Sequence, residues 1–269
     1  VTLFGLAATL WCLHAWRFSA DKAASASVVA TSGHPVSLWW MVPGFAVWSN
    51  LDNRMFLGLA LLLLWGLGEA VGQTLGRGVL SLAQRKEFWK VAGLCVVAGV
   101  LNPFGVWSLW SPVLLYGTEY PAWRDYAVST FNLEDSFAVS LLSADLWSPG
   151  PWRLPLLAGV VVLLSALVSL ALNARRANLG DVFAFAGFLA LAGVAFHELA
   201  AASLVAGVVG ALNAQQWYQA TFRRTYSIAT SELLFTRGGR AVTVLAFFGL
   251  AVMSANQSLF GTEGQRVGL

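Results

Sequence analysis

Three short stretches of this 269-residue chain carry side chains able to bind or transform a polar group. The first runs from Trp48 to Arg54, where Asn50, Asp52, Asn53 and Arg54 supply a carboxylate, two amides and a guanidinium. Such a set can bind a metal ion, a sugar hydroxyl or a phosphate. The same Asp and Asn also suit the cap of a helix starting at Met55. The second stretch is His197-Glu198, between two short apolar runs, where ionisable groups below the headgroups would be expensive and a tip at the interface would simply be wet. The third is Glu119 to Tyr126, which brackets Arg124 with Glu119 and Asp125, although Pro121 and Trp123 also read as an interfacial turn that leaves these charges solvated. Glu69, inside an apolar run, is expected to snorkel or to pair with Arg77; a proton relay would need a second intramembrane carboxylate, and none stands out. His14 and His34 are weaker candidates, and a single His without a second at helix-pair spacing gives little support for a haem or chlorophyll ligand.

The elements that must hold these residues are membrane helices. Of the chain, 58% is hydrophobic and 11% charged, against about 25% charged in ordinary soluble domains. Apolar run lengths predict an all-α polytopic bundle of about eight spans: 1–18, 36–50, 55–74, 91–116, 154–173, 182–196, 199–213 and 241–257. The fourth is interrupted by Asn102-Pro103, which a spanning helix tolerates only where protein or water satisfies the freed backbone groups. The runs 182–196 and 199–213 read as a short hairpin with His197-Glu198 at its tip. Thirteen Trp and five Tyr suit interfacial belts, with packed cores as the competing use.

Charge sets the expected orientation. Arg17, Lys22, Arg77, Arg85, Lys86, Lys90, Arg175, Arg176, Arg223, Arg224, Arg237 and Arg240 fall on one side of the eight-span arrangement, which makes that side cytoplasmic. Arg77 to Lys90 is expected to be a basic loop. Both termini and the acidic loop 117–151 then lie on the outer face, giving a transmembrane domain over 1–258 and an outer tail over 259–269. Cys12 and Cys95 sit in apolar runs without metal-ligand spacing, so neither a metal nor a cofactor is expected, and a nucleic-acid partner is not expected either. The start at Val-Thr-Leu lacks the features of a signal peptide and is expected to be a processed end or part of a longer protein.

The run from Pro43 to Gly58, followed by Leu67-Gly68-Glu69 and Leu101-Asn102-Pro103, resembles a pattern in large bacterial membrane proteins of GT-C-type architecture, similar to the dolichyl-phosphate-mannose-dependent mannosyltransferases. Gly210 to Gln215 also fits, and the resemblance covers about residues 36–258. It implies a bacterial inner-membrane protein that takes a polyprenyl-phosphate-linked sugar and transfers it on the outer face, with a carboxylate as general base. The acidic catalytic position of such proteins lies in a first outer loop upstream of the matched segment, so that loop is expected to be absent from this chain. On this reading Asp52 is the catalytic candidate, and Asn50, Arg54, Arg124, His197 and Glu198 are substrate-binding candidates. The alternative is a non-catalytic structural subunit, packed against partner membrane proteins by its Trp-rich faces.

Overall fold

The computed structural model describes residues 1–25, 37–106, 153–194 and 198–222. Those residues form seven α-helices and no strand: α1 (Thr2–Ser25), α2 (Met41–Leu51), α3 (Phe56–Thr74), α4 (Leu82–Val100), α5 (Arg153–Leu172), α6 (Leu179–Val194) and α7 (Leu199–Phe222). Helices α3 and α6 pack together at the centre. Helices α2 and α4 pack on each other, α5 and α7 do the same on the far side of α6, and α1 bridges α7, α2 and α3.

The helix ends follow from local chemistry. Helix α2 stops where Asp52 turns to an extended backbone, and the Asp52 carboxylate accepts from the Arg54 N–H at 3.0 Å to start a 3₁₀ turn, Asn53–Met55, that leads into α3. Helix α3 ends in a Schellman motif: Gly76 takes the left-handed conformation at φ 67°, its N–H donates to Gln73, and the Arg77 N–H donates to Gly72. Helix α4 opens on a reciprocal capping box, with Gln84 N donating to Ser81 Oγ and Ser81 N donating to Gln84 Oε1. Helix α6 is capped by Asn178, whose side-chain oxygen accepts from the N–H groups of Gly180 and Asp181.

Two of the expected spans change character. Helix α2 has 11 residues and covers about 16 Å, half the hydrocarbon thickness. Helix α4 begins at Leu82, so Arg85, Lys86 and Lys90 lie on the helix and not in a loop; the capping box fixes that start. Helix α4 ends at Val100, and Asn102-Pro103 forms the turn beyond it: the Asn102 amide donates to Gly99 O at 2.7 Å and accepts from Phe104 N at 2.8 Å. Pro103 therefore breaks no described helix. The hairpin at 182–213 is present as two packed helices, α6 and α7, but its second arm is 24 residues long. Phe56–Thr74 and Leu199–Thr221 are long and apolar enough to cross a membrane, and Leu157–Leu172 and Leu179–Gly193 are shorter apolar helices. The acidic loop 117–151, the span 241–257 and the tail 259–269 lie outside the described residues.

The core is aromatic and aliphatic, built around Trp65, Phe45, Phe88 and Phe188 with Leu6, Leu10 and Leu13 of α1. Small residues let helices approach: a Cβ on Gly210 of α7 would stand 3.0 Å from the Ala166 backbone of α5, and Ala206 repeats the small side chain one turn earlier. At the end of that interface the Asn173 amide donates to Asn213 Oδ1 at 2.8 Å and to Gln216 Oε1 at 3.0 Å. Large apolar side chains also point outward in helical stripes, Phe4, Trp11 and Phe18 on α1, Leu63, Leu67 and Val71 on α3, and Val161, Leu164 and Val168 on α5.

Candidate functional site

One end of the bundle gathers the start of α1, the α2–α3 turn, the end of α4 and the start of α7. There Asp52 accepts from the Thr2 hydroxyl as well as from the Arg54 backbone. The Arg54 guanidinium reaches across to Glu198, with Nη1 3.5 Å from Oε1. Glu198 is 2% exposed and Arg54 is 37% exposed, so the carboxylate is held inside while part of the guanidinium faces out. Sequence separation hid this pairing, because Arg54 and Glu198 lie 144 residues apart. Asn50 serves a different purpose: its amide nitrogen donates to Ala46 O at 2.8 Å and Leu101 O at 2.9 Å, tying α2 to the end of α4. Its N–H groups are thus taken up structurally, whatever its oxygen does. Arg124 and His197 lie outside the described residues, as do Glu119, Asp125 and His34.

The electrostatics of Asp52 favour its ionised form. Burial pushes the carboxyl up, but the Thr2 hydroxyl, the Arg54 N–H, the nearby Trp48 indole and the Arg54 charge together outweigh burial and hold it below its ordinary 3.8. The Trp48 N–H closes no hydrogen bond of normal geometry, so its share is electrostatic. A carboxyl held lower in the folded chain than in the unfolded one stabilises the fold fully above the ordinary value and loses that contribution as pH falls through the folded value. Asp52→Asn is therefore expected to flatten the loss of thermal stability below about pH 4. Melting curves in detergent across that range check it; coincident wild-type and variant profiles would count against the Thr2 and Arg54 contacts.

A second polar cluster lies deeper, toward the opposite end, where α1, α3 and α6 meet. Asp181 accepts from the Trp65 indole at 2.9 Å and pairs with Arg17 Nη1 at 3.3 Å, and His14 Nε2 stands 3.8 Å away. All three ionisable groups are buried, and neither His14 nitrogen closes a hydrogen bond. Next to it Glu69 accepts from the Asn178 amide and, at 3.4 Å, from Val79 N. The expected Glu69–Arg77 pair is not formed: Arg77 Nη2 donates to the carbonyls of Ala174 and Arg175, both at 3.0 Å. The buried carboxylate nearest to Glu69 in the fold is Asp181, linked to it through the Asn178 cap. Its sequence signal was Asn178-Leu179-Gly180-Asp181 ahead of an apolar run, a helix cap with an acid in the first turn, and that ordinary pattern masked a residue that partners three others.

Two grooves accompany these clusters. One, of about 420 Å³, runs between α1 and α2, is lined by apolar side chains including Phe4, Ala8, Trp40 and Val47, and reaches Val1 and Leu51 beside the Thr2–Asp52 contact. The other, of about 570 Å³, lies between α3 and α4. Among the described residues no group of three His, Cys, Asp or Glu side chains is placed to hold a metal ion. Comparison with protein-family models, curated proteins and solved structures finds no match.

Proposed function

We propose that the chain is a multi-pass helical membrane protein of GT-C-type architecture that binds a lipid-phosphate-linked sugar at the end formed by Asp52, Arg54 and Glu198, on the outer face of a bacterial inner membrane. The observation that carries this reading is the meeting of Arg54 with buried Glu198 beside ionised Asp52. Glu198 fixes one edge of the guanidinium, and the exposed remainder suits a phosphate. Asp52 can accept a hydrogen bond from a sugar hydroxyl. Its lowered proton affinity makes it a weak general base, so it fits orientation of the hydroxyl better than proton removal. The apolar groove between α1 and α2 ends at the same place and suits the polyprenyl chain. The outward apolar stripes on α1, α3 and α5 fit contact with lipid.

Titration of the full chain in neutral detergent with a long-chain polyprenyl phosphate tests the reading. Saturable binding is expected, weakened about 10- to 100-fold by Arg54→Gln, the effect of losing a charge-assisted hydrogen bond of roughly 1.5–3 kcal/mol. The Arg54→Gln/Glu198→Gln pair, which leaves no buried charge without its partner, controls for folding. Absence of saturable binding, or an affinity indifferent to Arg54, overturns the proposal. A chain extracted only with other proteins and without polyprenyl phosphate supports the structural-subunit reading.

A further inference from the structure

The groove between α3 and α4 meets the second polar cluster only at Glu69, and its chemistry is that of an amphiphile's binding site. Its walls are mainly apolar, with Gly66 and Ala70 from α3 facing Leu82, Phe88 and Trp89 from α4. Its mouth carries Arg85, Lys86 and Lys90, placed there because the Ser81 capping box starts α4 at Leu82 and winds these charges onto the helix. The cations 86 and 90 lie one turn apart on the same helix face, as do Arg85 and Trp89. Against three cations the groove holds one carboxylate, Glu69, whose two oxygens are engaged by Asn178 and Val79 N. Glu87 is not among the lining side chains. The Arg85 Nε is buried and closes no hydrogen bond within the protein.

We infer that this groove binds an anionic phospholipid, its phosphate held by Arg85, Lys86 and Lys90 and its acyl chains laid against the exposed Leu82 and Trp89 side chains of α4. The apolar walls distinguish this ligand from free phosphate, which would leave them wet. The basic mouth distinguishes it from a zwitterionic lipid, whose ammonium would meet three like charges. Basic pockets between membrane helices on the cytoplasmic side recognise acidic headgroups by the same combination of charge and depth. The site rests on the membrane reading above and is independent of the polyprenyl-phosphate site, which lies at the other end of α3.

The test reconstitutes the full chain into phosphatidylcholine vesicles carrying trace spin-labelled phosphatidylglycerol or phosphatidylcholine, and measures the motionally restricted fraction of each by electron spin resonance. Wild-type chain is expected to favour phosphatidylglycerol. The preference is expected to fall by about fivefold for each cation removed from Lys86→Gln and Lys90→Gln, and to vanish when Arg85→Gln is added. Arg175→Gln/Arg176→Gln, which removes two exposed cations from the same end outside the groove, is expected to leave the preference nearly intact. Equal restriction of both lipids, or equal loss from the groove and loop variants, overturns the proposal in favour of a diffuse surface charge. Competition of the labelled lipid by millimolar inorganic phosphate overturns the lipid as ligand. A chain that fails to float with the vesicles at all refutes the membrane reading instead. Because Lys86 and Lys90 are exposed, their double variant tests the site even if the Arg85 substitution unfolds the chain.

Discussion

Asp181→Ala is expected to destabilise the folded chain by about 3–5 kcal/mol, the cost of leaving a buried charge without its partner. The Asp181 carboxylate is the shared acceptor of the α1–α3–α6 junction. Without it, Arg17, 5% exposed, loses the carboxylate 3.3 Å from its Nη1, and the Trp65 indole loses the acceptor at 2.9 Å. Neither group can turn to water without opening the junction. The pair itself is not the source of the effect, since a buried ion pair and a well-packed apolar replacement have similar stability. Arg17→Met/Asp181→Leu is therefore expected to recover more than half of what Asp181→Ala loses. Unfolding in mixed micelles, followed by circular dichroism, measures both. Losses that simply add in the double variant would show that Arg17 and Asp181 do not act as a unit.

Gly68→Ala is expected to cost about 3 kcal/mol, at the upper end of overpacking effects. A Cβ on Gly68 would lie 2.3 Å from the Leu179 carbonyl oxygen and 2.7 Å from Gly180 Cα. Both are backbone atoms of the start of α6, so no side chain can swing aside and the two helices must separate. That movement would also stretch the neighbouring Trp65–Asp181 and Glu69–Asn178 bonds, which join α3 to the start of α6. Gly44→Ala and Gly93→Ala provide the contrast. A Cβ at either position meets nothing within 4 Å, and a helical alanine there is expected to be neutral or to stabilise by about 0.5–1 kcal/mol. The same micelle unfolding series orders the three variants; equal effects would mean that helix propensity and not the α3–α6 approach governs Gly68.

How much of this was legible in the sequence depends on distance along the chain. The helical architecture follows from apolar run length, and α3 was readable almost to the residue because its apolar run spans 55–74 and Asp52 and Asn53 precede it as cap residues. The Asp52–Arg54 turn and the Glu198 hairpin tip were readable as candidates, each from local residue types. Their meeting was not, because no local pattern relates residue 54 to residue 198. Helix α4 was misplaced for a different reason. Arg85, Lys86 and Lys90 look like a loop by charge, whereas Ser81-Leu82-Ala83-Gln84 is the pattern of a capping box and fixes the helix start. Asp181 was overlooked because an acid in a first helical turn is ordinary; only the arrival of Arg17 and Trp65 from two other helices makes it the centre of a junction.

The same junction orders events during synthesis. Arg17 waits for a partner 164 residues later, Trp65 for one 116 residues later and Glu69 for one 109 residues later. At translation rates of about 5–20 residues per second, Arg17 is out of the ribosome for roughly 8–33 s before Asp181 appears. Through that interval the Arg17 guanidinium of α1 and the Glu69 carboxylate of α3 are without the partners they meet in the fold, and the α1–α3–α6 junction cannot close. Arrival of the Asn178–Asp181 turn supplies both missing partners in one step, which makes the start of α6 the point in the growing chain at which its earlier helices are released to consolidate.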